Sequence, residues 1–263
     1  CSLVLLDREH QPLPLSTTEA LWNVIMWMDH RATAEAEEVN ATGASVLRNL
    51  GGAMSVEMQI PKLMWVKRHR PDVWAKLGYA GDLADFLSFK STGTFERSAC
   101  TLSCKWTYDP DAGGWSKDFL QSVGLSDLLD RAALPLHAKA IGTKVGTLTD
   151  AAAYDLGLTT SCAVGMGLID AHAGALGTSG LHQTRIDRRL ALIAGTSNCH
   201  IALTKQRREV SGVWGPYKGA VLEDWYALEG GQSATGAALA QILGMFRAPT
   251  KKPHETLGQA FLD

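Results

Sequence analysis

The chain has 263 residues, 46% of them apolar and 20% charged, with a formal net charge of -2. That length supports one large domain or two modest ones, each with a real core. The near-neutral balance excludes a basic surface built for nucleic acid or anionic lipid. No apolar stretch reaches bilayer-spanning length, and Cys1-Ser2-Leu3-Val4-Leu5-Leu6 lacks a positive leader, Asp7-Arg8-Glu9 ending the apolar run at once. The five cysteines (Cys1, Cys100, Cys104, Cys162, Cys199) are odd in number and scattered, with no C-x-x-C pair. They point to a reduced, cytoplasmic protein without a zinc site.

In chain order, Ser2–Leu6 reads as a strand opening the sequence. Asn23–Met28 is apolar almost throughout and predicts a second strand, buried on both faces, that delivers Asp29-His30-Arg31. Helices are predicted from Arg31 to about Val39 and from Gly43 to Leu50, the latter stopped by Gly51-Gly52. Further helices are predicted over Pro61–Arg68, Pro71–Leu77 and Asp82–Lys90, with Gly93 as a stop. Asp109–Gly114 reads as a loop, and Asp118–Val123 and Ser126–Arg131 as short helices. Thr149–Leu156 predicts a helix closed by Gly157. Ala163–Ile169 has the pattern of a buried strand running into a small-residue helix, Asp170–Gly177. Leu190–Ala194 and His200–Leu203 form a strand pair joined by Gly195-Thr196-Ser197-Asn198-Cys199. Trp225–Leu228 leads to Glu229, and Gly230–Leu243 reads as a helix. Strands alternating with helices, then a strand pair, predict α/β architecture with a boundary near Thr178–Arg189. The opening on a strand and the close at Phe261-Leu262-Asp263 read as cuts through a fold.

Five places can carry chemistry, each with an ordinary structural alternative. Asp170, at a strand-to-helix junction, lies by free N–H groups and a positive dipole end that keep a carboxylate ionised; taken alone it reads first as a plain N-cap. Gly195-Thr196-Ser197-Asn198 offers flexible backbone and hydroxyls to phosphate oxygens, or is a hairpin turn. Glu229, ahead of Gly230-Gly231, can accept from sugar hydroxyls, or is the acidic start of a helix. Asp29 ends a strand. Lys105, beside Trp106 and Tyr108, otherwise reads as a surface lysine burying its stem. There is no Walker A pattern, no G-x-G-x-x-G after a strand and no G-x-S-x-G elbow.

The order of these pieces resembles the FGGY carbohydrate kinases. The segments are Trp27-Met28-Asp29-His30-Arg31-Ala32; Pro61–Lys67 with Asp82–Leu87 and Lys90-Ser91-Thr92-Gly93; Gly146–Ala152 with Leu156-Gly157-Leu158; Gly167-Leu168-Ile169-Asp170-Ala171-His172-Ala173-Gly174; and Ala194-Gly195-Thr196-Ser197 followed by Tyr226–Gly231. The W-x-D-H-R, I-D-A-H-A-G and E-G-G-Q-S-A-T-G pieces are most similar to ribulokinase-type members, the pentulose branch.

The resemblance implies an actin-like, ribonuclease-H-like ATPase fold of two domains with the active site in the cleft between them. It divides the chain into an N-terminal sugar-binding domain over 1–178, lacking its first strands, and the start of a nucleotide-binding domain over 179–263. It implies ATP-dependent phosphorylation of a sugar hydroxyl, most simply of ribulose, with ATP and Mg2+ as cofactors. By the same resemblance Asp170 is the catalytic base, Gly195 and Thr196 contact the transferred phosphoryl group, and Lys105, Glu229, Asp29 and Asp170 line the sugar. The family's N-terminal Asp-x-Gly-Thr phosphate loop and its C-terminal Gly-rich adenosine segment have no counterpart here, so the 263 residues alone are expected to show little activity. The expected partners are the sugar and ATP, with a homo-oligomer open and no nucleic acid or membrane. A non-catalytic sugar-binding or regulatory relative, or another actin-like ATPase, are the competing readings.

Overall fold

The computed structural model describes residues 1–16, 18, 22–180, 183–195 and 197–246. In chain order the elements are β1 (Leu3–Asp7), β2 (Val24–Ile25), α1 (Thr33–Ala41), α2 (Gln59–His69), α3 (Pro71–Lys76), β3 (Leu77–Asp82), α4 (Leu83–Thr92) and α5 (Ala99–Lys105). Then come α6 (Lys117–Ser122), α7 (Leu128–Arg131), β4 (Lys144–Thr147), α8 (Asp150–Leu156), β5 (Ala163–Gly165) and α9 (Asp170–Gly180). The last part holds β6 (Leu190–Ala194), β7 (Asn198–Thr204), β8 (Trp214–Lys218), β9 (Tyr226–Gln232) and α10 (Thr235–Phe246). The fold is mixed α/β. Among the described residues the strands form three sheets, ordered β2-β1-β3, β4-β5 and β6-β7-β9-β8, with every pairing antiparallel.

β1 explains why its sequence is apolar at consecutive positions. Leu3 and Leu5 enter the main core, while Val4 and Leu6 point the other way onto Tyr79, Phe86, Phe89 and Phe95. Alternate side chains of one strand thus serve two apolar clusters. β3, its neighbour, is hidden in the sequence by two glycines. Gly78 is required by close approach, since a Cβ there would come within 2.6 Å of the Arg8 backbone nitrogen.

Helix ends follow capping chemistry where the sequence advertised it. Gly93 adopts φ 73° after α4 and Gly157 φ 65° after α8, whose start is capped by the Thr149 hydroxyl accepting from the Ala152 N–H. Other expectations fail for identifiable reasons. The predicted strand Asn23–Met28 shrinks to two residues, and Val24, Met26, Trp27 and Met28 are exposed, because β2 is an edge strand with no second layer over it. Ala163–Ile169 is a strand only to Gly165 and is not buried there; the chain then runs irregularly into α9. Gly43–Leu50 is a single 3-10 stretch, Ser45–Asn49. Glu229 lies inside β9, not at a helix start, and α10 begins only at Thr235.

Two contacts set the second large sheet against the rest. α9 packs along β6 because Gly174 has no side chain: a Cβ there would meet Ile193 Cδ1 at 2.8 Å. On the far edge, the loop carrying Asp109 and Asp111 is tied to the last three strands of the sheet and their connections. Arg207 bonds both acids, Lys218 Nζ donates to Asp111 at 2.6 Å, and the Tyr226 hydroxyl donates to Asp111 at 2.6 Å. No helix among the described residues is long and apolar enough to cross a membrane.

Candidate active site

The register of the β6–β9 sheet builds the site. Ile201 on β7, Glu229 on β9 and Trp214 on β8 are direct cross-strand partners, so their side chains share one face. Cys199, two residues before Ile201 and paired with Ile193 and Gly231, falls on the same face. α9 covers the β6 side of this face, and α5 packs against β8. Lys105 at the end of α5 and Asp170 at the start of α9 therefore flank the strand that carries Glu229.

Each side chain is held by local structure. Asp170 is exposed, and its Oδ1 accepts from the N–H of Ala171 at 2.8 Å, as a carboxylate at a helix N-terminus does. The residue before it is fixed to α5, since the Ile169 N–H donates to Cys100 Sγ at 3.5 Å. Lys105 is half-buried, with Nζ 6.0 Å from the centre of the Trp214 ring. Glu229 is only 6% exposed. Its Oε2 stands 3.8 Å from Nε2 of the buried His172, and burial lowers the imidazole's proton affinity, leaving it neutral. The Cys199 thiol is pushed up to about 11, by burial first and then by the Glu229 charge and a hydrogen bond to that carboxylate. The charges of Lys105 and Asp170 also reach Cys199 and His172.

The structure thus gathers Lys105, Asp170 and Glu229, which lie far apart in sequence. Gly195 opens the turn between β6 and β7, with its N–H donating to the Ser197 carbonyl at 3.0 Å. Because Ile193 sits on Gly174 and Cys199 feels Asp170, that turn lies at the end of α9 that carries Asp170. Thr196 lies outside the described residues.

Asp29 is differently placed. Both its oxygens are engaged by Arg31, which is the main reason its proton affinity falls. It lines a groove of about 760 Å³ with Trp22, Met26, Met28 and Trp65. The charges of both Asp29 and Lys105 reach Lys62, whose buried ammonium donates to the carbonyls of Met26 and Trp27 at 2.8 and 2.9 Å. Burial and the nearby Lys105 charge lower Lys62 to about 8. Among the described residues no hydrogen bond or ion pair joins Asp29 to Lys105, Asp170 or Glu229.

Reading the sequence missed His172, Cys199 and Trp214. A usable signal existed for Cys199: with Ile201 it alternates along β7, which marks one face of a strand. It also missed that Cys100, Cys104 and His172 bring three donor atoms within 4.8 Å of one another. Cys104 Sγ is 3.5 Å from His172 Nε2, but His172 Nδ1 is buried with no partner. A zinc-bound imidazole ordinarily donates from that nitrogen, and burial raises the Cys104 thiol far from ionisation. The trio fits neutral packed groups better than a metal centre.

Comparison with known proteins gives the family of the chain. Residues 3–177 match the N-terminal domain, and residues 190–260 the C-terminal domain, of the FGGY family of carbohydrate kinases. The chain is 45% identical over 257 residues to an FGGY carbohydrate kinase domain-containing protein of Danio rerio, covering 92% of this chain and 47% of that protein. It is 40% identical over 263 residues to a D-ribulokinase of Saccharomyces cerevisiae, covering 88% of this chain and 37% of that one. Among solved structures, a xylulose kinase from Rhodospirillum rubrum superposes with a TM-score of 0.74 at 22% identity, over 93% of this chain and 47% of that one. The chain spans about half the length of the Danio rerio and Rhodospirillum rubrum proteins. On the family match over most of its length, the chain belongs to the FGGY family of carbohydrate kinases.

Proposed function

We propose that the protein containing this chain transfers the γ-phosphoryl group of ATP to a hydroxyl of a pentulose such as ribulose, with Asp170 as the base. The observation that carries the reading is an exposed carboxylate at a helix N-terminus, flanked by a cation on α5 and a buried acid on β9. A sugar hydroxyl is a poor nucleophile because it is poorly acidic. As its oxygen bonds to the γ-phosphorus and the bond to the ADP oxygen breaks, its proton passes to Asp170. Glu229 and Lys105 would hold neighbouring hydroxyls, and that positioning is most of what phosphoryl transfer requires of a protein.

The residues present fit a nucleotide phosphate, since Asp170 and Gly195 are both exposed and the β6–β7 turn lies at the Asp170 end of α9. Gly195 and Thr196 would hold the transferred phosphoryl group. Mg2+, bound through the phosphates, would supply charge neutralisation. In this reading residues 1–178 form the sugar-binding domain and 179–263 begin the nucleotide-binding one. The yeast relative's name, D-ribulokinase, supports a ketopentose acceptor. ADP release by the full-length protein, measured with ribulose, xylulose, ribitol and glycerol, tests the reading. Ribulose giving the highest kcat/KM is expected; phosphorylation of none of the four would overturn it.

A further inference from the structure

We propose that Trp214 is a specificity-determining residue of the sugar site, its indole forming the apolar wall that limits how long a ketose the cleft accepts. This rests on the reading of Lys105, Asp170 and Glu229 as the acceptor site. The ring is the direct cross-strand neighbour of Glu229 and shares its face of the sheet. Lys105 Nζ stands 6.0 Å from its centre, so the indole adjoins both the cation and the acid that would hold hydroxyls. Its position is built into the strand that carries Glu229. Two residues further along, Gly231 leaves the room the ring occupies: a Cβ there would come within 3.1 Å of Trp214 Cζ3 and 3.3 Å of Cη2. Trp214 is half-buried, so part of the indole packs on the core while the rest remains exposed.

That combination suits a sugar. Hydroxyls need charged or hydrogen-bonding partners, while the C–H edges of the same molecule gain by covering an aromatic plane. The indole is also the bulkiest side chain available for a wall. Each carbon added to the ketose must fit beside it, and misfit in a closed cleft is felt as lost transition-state binding.

The test uses the full-length protein with Trp214→Ala, Trp214→Phe and Gly231→Ala, measuring kcat/KM for ribulose and for fructose, and KM for ATP. In Trp214→Ala the ribulose-over-fructose preference should fall about tenfold or more, the scale of one or two carbons in a pocket. Trp214→Phe should fall between it and the parent. Gly231→Ala, which displaces the ring without removing it, should move the preference the same way. KM for ATP should stay within about twofold in all three, as wall contacts touch only the acceptor. If Trp214→Ala does not fold, the other two variants carry the test. An unchanged sugar preference, or a KM for ATP rising in step with that for sugar, would overturn the proposal and leave the ring a packing element. Asp170→Asn separates the two readings: if it stays active the base assignment fails, while the sugar preference still judges Trp214.

Discussion

Two groups of acids lie within this molecule, and their surroundings are opposite. At the end of β3 and in α4, Asp82 and Asp85 are buried and almost saturated. Asp82 accepts from Gln59 Nε2 at 2.7 Å and Trp106 Nε1 at 2.5 Å. Asp85 accepts from the Ser98 N–H at 3.1 Å and the Thr101 hydroxyl at 2.6 Å. On the β6–β9 face, Asp170 is exposed with one local backbone bond, and Glu229 is buried with partners no closer than a thiol and a neutral imidazole. A buried polar group with its bonds filled holds a fold together. One left short of partners keeps capacity for a ligand, at a cost to the fold that function must justify.

The comparison can be broken from either side. Asp82→Ala orphans two buried donors, each worth about 1–3 kcal/mol when left unpaired. We expect a loss of about 3 kcal/mol in denaturant unfolding and a clear fall in Tm, without selective loss of sugar affinity. Glu229→Gln should do the reverse: KM for ribulose rises roughly tenfold to a hundredfold, about 1.4–2.8 kcal/mol of binding, while Tm changes little. Equal destabilisation by both variants would erase the distinction.

A pH titration sharpens it. Burial and the neighbouring Asp82 charge push Asp85 up to about 7 from an ordinary 3.8. The folded state therefore holds that proton more tightly than the unfolded chain. Its contribution is complete below the unfolded value and is lost as pH rises through about 7. Stability should fall between roughly pH 4 and pH 7, and Asp85→Asn should flatten that slope; an unchanged slope would remove Asp85 as its source. The smallest effect belongs to the partly exposed Asp111 network. Asp111→Asn should cost less than about 1 kcal/mol, and the loss should shrink further in ~0.5 M salt.

How much of this was legible beforehand differs residue by residue. The start of α9 at Asp170 was readable, because a small-residue helical run begins there and an acid suits its first turn. The strand proposed before it is real only over Ala163–Gly165, which pairs with β4 alone and is not buried, so the apolar run to Ile169 does not extend it. α5, which carries Lys105, escaped because Ala99-Cys100-Thr101-Leu102-Ser103-Cys104 is buried almost all round and shows no helical period. β8 escaped because Gly215 and Pro216 sit in its middle, which an edge strand tolerates and propensity does not foresee. Glu229 was picked out as a candidate but on the wrong element, since two following glycines look like a helix approach and are in fact strand residues, Gly231 lying against Trp214. What periodicity could not supply was the cross-strand register, and that register is what brings Glu229, Trp214 and Cys199 to one face.

The central claim is that Asp170 accepts a proton from the acceptor sugar. Its most direct test is Asp170→Asn in the full-length protein, with turnover measured alongside ribulose affinity by calorimetry. The account predicts that kcat drops by roughly 10²–10⁴, the usual worth of a general base, while the sugar Kd stays within a few-fold. Turnover near that of the parent protein, with sugar still bound, would contradict it.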